Sequence, residues 1–186
     1  MPKLWCAEAI ANTAWPTSPD SIAAIAAIAA NTANTAEISI VTRSPLLLRD
    51  LDLLIELDQC RAVTVTVVIP AADPDLVRRL EPRPRMPAAP SCAADPRDRL
   101  DLVRTLAAHG IAVRVLCAPL VAGVNNGTAV LSRLFALAQQ AGASDVLTAP
   151  RHPAVPPTAA EAGNLAALFY RLRLQHGFPR TLPGRG

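Results

Sequence analysis

Aromatic residues make up only 3% of this 186-residue chain, so its core must be assembled from alanine, leucine, valine and isoleucine. These bury less area apiece than phenylalanine or tryptophan. Charge is sparse as well, with 18% charged against 51% hydrophobic residues. That balance supplies enough apolar material to offset chain entropy and excludes a wholly disordered polymer. No apolar run approaches the ~20 residues of a bilayer helix, so no membrane contact is expected. The nearest stretch, IAAIAAIAAN at 22–31, lacks a basic flank and a cleavage site and reads as a small-faced helix rather than a secretion signal. The four cysteines, Cys6, Cys60, Cys92 and Cys117, are too dispersed for a CxxC metal knuckle or a disulfide scaffold. Reduced thiols in a cytoplasmic protein are the expectation. Dinucleotide fingerprints, Walker loops, nucleophile elbows and HExxH helices are all missing.

What is present is an alternation of strand and helix patterns in a chain long enough for one domain. AEAIAN (7–12) reads as a strand, followed by a helix at about 19–30 with Ser18 as its N-cap. EISIVT (37–42) is a second strand. Ser44 then caps a helix with Pro45 in its first turn, where a missing N–H costs nothing. Leu47, Leu51, Leu54 and Ile55 share one face of that helix, with Arg49, Asp52 and Glu56 turned outward. AVTVTVVIP (62–70) is a β-branched third strand stopped by Pro70, and DPDLVRRL (73–80) a short helix. A proline-rich loop or insertion follows at 81–96. Residues 97–110 form a helix ended by Gly110, 111–119 a fourth strand, and 128–142 a helix ended by Gly142. A fifth strand at 144–150 and a helix at 158–177 complete the pattern.

About five βα units imply an α/β fold with a parallel sheet, because parallel strands need crossover helices and covered faces. Five is short of the eight of a closed barrel, so an open, partial parallel β/α barrel is expected. The functional end of such a sheet is the carboxyl end of its strands. That rule gathers Asn12-Thr13, Thr42-Arg43-Ser44, Ile69-Pro70, Ala118-Pro119 and Thr148-Ala149-Pro150 on one rim. Arg43 and the helix start at Ser44 are candidates for holding an anion. Asn12, Thr13, Asn125 and Asn126 add neutral hydrogen-bonding groups, although Asn-Asn-Gly at 125–127 is first of all a turn. His109, just before Gly110, reads as a helix-end cation, and His152 and His176 show no partner. Asp73, Asp75 and Glu81 suit helix-start charges better than a carboxylate pair.

Three ordered segments, VTRSPLLLRDLDLLIEL, VVIPAADPDLVRRLEP and HGIAVRVLCAPLVAGVNN, are similar to radical S-adenosylmethionine (SAM) proteins related to the spore photoproduct lyase group. Members of that group typically read TKSPL-LRDLDLL, SIPT-D--L-RRLEP and GIPV-VMVAPIIPGLND. IANTAWPTSP resembles their NTDPYQP strand tip, and LFYRLRLQHGFPR their C-terminal helix. The resemblance implies a partial parallel barrel, a four-iron four-sulfur cluster, and SAM cleaved to a 5′-deoxyadenosyl radical. It also implies that Asn12, Thr13, Arg43, Ser44, Pro119, Asn125 and Asn126 are cofactor-side residues. The cluster-binding CxxxCxxC is absent, and the chain opens at about the third strand of the family pattern. Thiolates hold such clusters, so no metal ligand and no catalytic residue is assigned here. Arg43 replaces the motif lysine, Val68 the serine, Ala14 an aspartate and Asn126 another. SAM binding is therefore expected to be weak, and the chain to be a truncated protein that is catalytically impaired alone. Two other readings accompany it. One is half of a split enzyme whose N-terminal half is separately encoded. The other is a non-catalytic protein- or nucleic-acid-binding module, suggested by the arginines at 78, 79, 83, 85, 97, 99 and 104.

Overall fold

A computed structural model describes residues 38–60, 62–81, 95–148 and 159–178. Within them four strands, β1 (Ile38–Thr42), β2 (Val63–Val68), β3 (Ala112–Cys117) and β4 (Asp145–Thr148), form one sheet in the order β1-β2-β3-β4. Every pairing is parallel. The expected strand at 7–12 and helix at 19–30 lie outside the described residues, as do residues 82–94 of the proline-rich stretch. Five α-helices accompany the strands: α1 (Leu51–Cys60), α2 (Pro74–Leu80), α3 (Pro96–Ala108), α4 (Thr128–Gln140) and α5 (Ala159–Gln175). Neighbouring strands are consecutive in sequence, as short crossovers of one hand require. None of the described helices is long and apolar enough to cross a membrane.

Register divides the sheet into two unlike faces. Ile40, Val65 and Val113 stand in one row and, with Val67, Val115, Cys117 and Val146, join helix residues such as Leu54, Leu102, Leu106 and Leu134 in the main core. The opposite face carries the row Val41, Thr66, Arg114 and Asp145, and beyond it Val68, Leu116 and Leu147. Alternation along β2 is therefore chemical, with Val63, Val65 and Val67 to one side and Thr64, Thr66 and Val68 to the other, although all six residues are buried. Burial on both faces matches its interior place in the sheet. β1 instead alternates in exposure, because Ser39 and Val41 face out while Ile40 and Thr42 are buried.

The helix expected after Ser44 opens as a 3-10 segment, Pro45–Asp50, before it becomes α1. Three residues per turn align positions i and i+3, so Leu47 and Asp50 both point inward, and the α-helical stretch then continues the buried stripe with Leu54 and Leu57. The expected face of Leu47, Leu51, Leu54 and Ile55 packs on the core, with Leu51 and Ile55 at its half-buried margin, and Asp50 takes an additional inward place. Its Oδ2 is buried without a hydrogen-bond partner.

Local signals account well for the remaining ends. Asp73 and Asp95 cap α2 and α3 by accepting from Asp75 N–H and Arg97 N–H, each with proline next in the chain. Gly110 and Gly142 follow α3 and α4 at φ of +82° and +87°, a backbone region that suits glycine. The few aromatic residues are concentrated: Phe135 of α4 meets Phe169 of α5 edge-on at 5.4 Å and Phe178 at 5.8 Å. Such pairs add about 0.5–1.5 kcal/mol each beyond burial.

Candidate functional site: the carboxyl rim of the sheet

Because all four strands run the same way, their carboxyl ends share one edge. At the end of β2, the carbonyl of Pro70 receives an N–H from Asn125 at 2.8 Å. The same amide donates to Pro119 O at 2.9 Å, and its Oδ1 accepts from Val121 N–H at 2.7 Å. Asn125 is fully buried. It satisfies three backbone groups that would otherwise lose a partner on burial, and so ties the ends of β2 and β3 together. Both of the Asn125 amide protons are spent on the backbone, so its visible part at the rim is to hold strand ends. The Asn-Asn-Gly stretch is a turn with one structural side chain in it. Asn126 accepts from Gly123 N–H at 2.9 Å and lines a shallow cavity of about 250 Å³ with Asn164, Leu165 and Leu168 of α5.

Ser44 is likewise occupied locally. Its Oγ accepts from Leu46 N–H at 3.3 Å, its N–H donates to Thr42 Oγ1 at 3.0 Å, and the Thr42 hydroxyl donates to Ser44 O at 3.3 Å. The Leu46 N–H, the first donor of the helix start, is thus held by the cap itself. Cys117 ends β3 with its thiol donating to Pro70 O at 3.5 Å. Burial pushes that thiol up to about 12, which keeps it protonated and unreactive at neutral pH.

Arg43, just past β1, is open to solvent, its side chain 48% exposed. Its Nε lies 3.6 Å from Glu81 Oε1, an ion pair rather than a hydrogen bond. Glu81 closes α2 and is gripped by Arg99 of α3, whose Nη2 and Nη1 reach its two carboxylate oxygens at 2.5 and 3.2 Å. Arg99 Nη1 also donates to Val68 O at 2.8 Å, and the residue is fully buried. Both partners correct the sequence reading. Glu81 is a helix-end rather than a helix-start carboxylate, and Arg99 is withdrawn from the basic surface proposed for nucleic acid. Arg78 and Arg104 pair with Asp75 and Asp101, which further neutralises that surface. Arg83 and Arg85 lie outside the described residues, as do Asn12 and Thr13. The one available signal for Glu81 was its place at the end of the RRLE helix; nothing local marked Arg99 as buried.

A second arginine–carboxylate pair sits elsewhere. Asp145 opens β4, is fully buried, and accepts from Arg173 of α5 at 2.7 Å. Burial pushes its carboxyl above the ordinary aspartate value of 3.8, and Arg173, the Val146 N–H and Arg114 pull it back without cancelling that cost. His176 is also partnered, contrary to expectation, with Nε2 3.0 Å from Ser132 Oγ. His109 caps α3, its Nδ1 2.8 Å from Thr105 O, in the structural role foreseen for it.

Among the described residues the donor set does not fit an iron–sulfur cluster. No group of three His, Cys, Asp or Glu able to hold a metal exists among the described residues, and the Cys117 thiol is buried and hydrogen-bonded. No family model matches the chain. Over 109 residues, 59% of its length, the chain is 32% identical to uncharacterized proteins of Mycobacterium bovis and Mycobacterium tuberculosis, and it spans only 29% of the length of those relatives.

Proposed function

We propose that the chain is part of a radical-SAM-type protein, in which the sheet is a section of a partial parallel barrel and the rim faces SAM. The observation that carries this reading is positional. The three motif segments, TRSP, VVIP and CAPLVAGVNN, fall at the carboxyl ends of β1, β2 and β3, where such folds place their ligands. Arg43 supplies the positive charge at the position of the motif lysine. Asn125 shapes the rim by holding two strand ends together. Asn126 borders the cavity against α5, while Asn12 and Thr13, named by the resemblance, lie outside the described residues. No step is assigned to an iron–sulfur cluster, since the described residues lack its ligands. Asn126 and Ala14 stand where the motif has aspartates, and Glu81 is engaged by Arg99 and Arg43, so the chain binds SAM weakly and is catalytically impaired alone.

Two measurements test this. Calorimetric titration of the chain with SAM is expected to show weak binding that R43A abolishes; binding unaffected by R43A removes the rim assignment. Anaerobic reconstitution with iron and sulfide is expected to give no stable four-iron absorbance, and a full cluster that cleaves SAM overturns the impaired reading. The greater length of the mycobacterial relatives favours a second arrangement, in which a cluster-bearing half is supplied by another segment or a separate chain. A neighbouring reading frame ending in CxxxCxxC and a second-strand element is the expected sign of it.

A further inference from the structure

Three side chains carry charge from the interior of the molecule to the rim. Arg99, fully buried, is anchored on Val68 O at the end of β2 and holds both oxygens of Glu81. Glu81, with its side chain only 15% exposed, lies against Arg43 at 3.6 Å. The shortest approach is made by Arg43 Nε. No second hydrogen-bond or ion-pair partner of Arg43 exists among the described residues, and nearly half of its side chain is in solvent. One acid between two bases leaves the group with net positive charge.

We propose that Glu81 and Arg99 are positioning residues for Arg43, holding its guanidinium so that the free Nη edge receives an anionic group of the ligand, a carboxylate or a phosphate. Arginine has a fork of donors, so one edge can rest on Glu81 while another receives two oxygens; a lysine ammonium has no such second edge. A guanidinium already held loses less freedom on binding than one moving in water. Arg99 is well placed for the task because its own anchor is a backbone carbonyl of the neighbouring strand, which moves only with the sheet. The inference deepens the rim reading above and rests on it for the ligand's identity alone.

Arginine side-chain NMR of the full chain tests the pair, with the Arg43 resonance assigned through R43K. In the wild type the Arg43 Nε–H is expected to exchange with water about threefold more slowly than in free arginine, the protection of a partly exposed ion pair. E81Q is expected to remove that protection. E81D keeps a carboxylate for the buried Arg99 and decides the matter if E81Q does not fold; its shorter reach is expected to release Arg43 as well. An unprotected Arg43 in the wild type, or protection that survives both variants, overturns the positioning role. Separate titrations with SAM and with inorganic phosphate then address the ligand. Shifts at Arg43 that weaken about threefold in E81D support the inference, on the same ion-pair scale. A response to phosphate without one to SAM overturns the cofactor reading and leaves the pair standing. Silence toward both overturns the anion-receiving part.

Discussion

Two arginine–carboxylate clusters in one sheet show how similar chemistry serves different ends. Around Asp145 the pair is closed: the carboxylate is fully buried, Arg173 is 22% exposed, and the two face each other at 2.7 Å between β4 and α5. At the rim the cluster is open, because Arg99 and Glu81 spend their strongest contacts on one another while Arg43 extends into water. A closed pair brings desolvation cost and mutual attraction into near balance, and its removal exposes the imbalance. An open one keeps a donor edge in reserve, and that edge is what a ligand meets.

The largest effect should come from breaking the closed pair. R173A leaves Asp145 buried without its principal counter-charge and is expected to lower stability by about 3 kcal/mol in urea unfolding. At the rim, R99A is expected to cost less, about 2 kcal/mol, because Glu81 can turn toward water although Val68 O loses a donor. Equal losses in R173A and R99A would erase the distinction between the clusters. N125A should also cost about 2 kcal/mol, since Val121 N–H and two carbonyls lose their buried partner.

Acid dependence sharpens the contrast further. The folded protein retains the Asp145 proton to higher pH than the unfolded chain, since burial raises its folded value. The associated stabilisation is full below 3.8 and is lost as pH rises through the raised value. Unfolding curves across that window should show the wild type losing stability relative to D145N as pH rises; an opposite slope would mean that Arg173 outweighs burial. The smallest effect is expected at Arg43. R43A should leave stability within about 0.5 kcal/mol, as befits a half-exposed ion pair. A large loss on R43A would make the open cluster structural and remove its availability to a ligand.

Much of the fold was legible because its signals are local. β-Branched runs marked four strands, proline and a preceding Ser or Asp marked helix starts, and glycine marked the ends of α3 and α4. The parallel arrangement followed from strands separated by helices. Asp50 was missed because a 3-10 segment shifts the inward stripe, and nothing in PLLLRD announces that change of period. At the rim, Arg43 was placed from its position just after a strand, and the Asn-Asn-Gly turn from its residue types. Asn125 looked like a ligand group, since its buried partner Pro70 lies 55 residues away, in a segment that sequence spacing does not join to it. Arg99 looked like a surface charge for a similar reason.

By itself the sequence determined which segments are strands and helices, that the strands run parallel, and which residues stand near their carboxyl ends. These are consequences of side-chain shape, backbone freedom and short-range periodicity. The tertiary structure alone decided which polar groups are spent and which remain free. Partners 18 to 55 residues apart, Glu81 with Arg99, Asp145 with Arg173 and Pro70 with Asn125, meet only when the sheet is assembled. Burial then closes these three contacts and leaves Arg43 at the rim with its side chain half in solvent, because a desolvated polar group must find its partner within the fold.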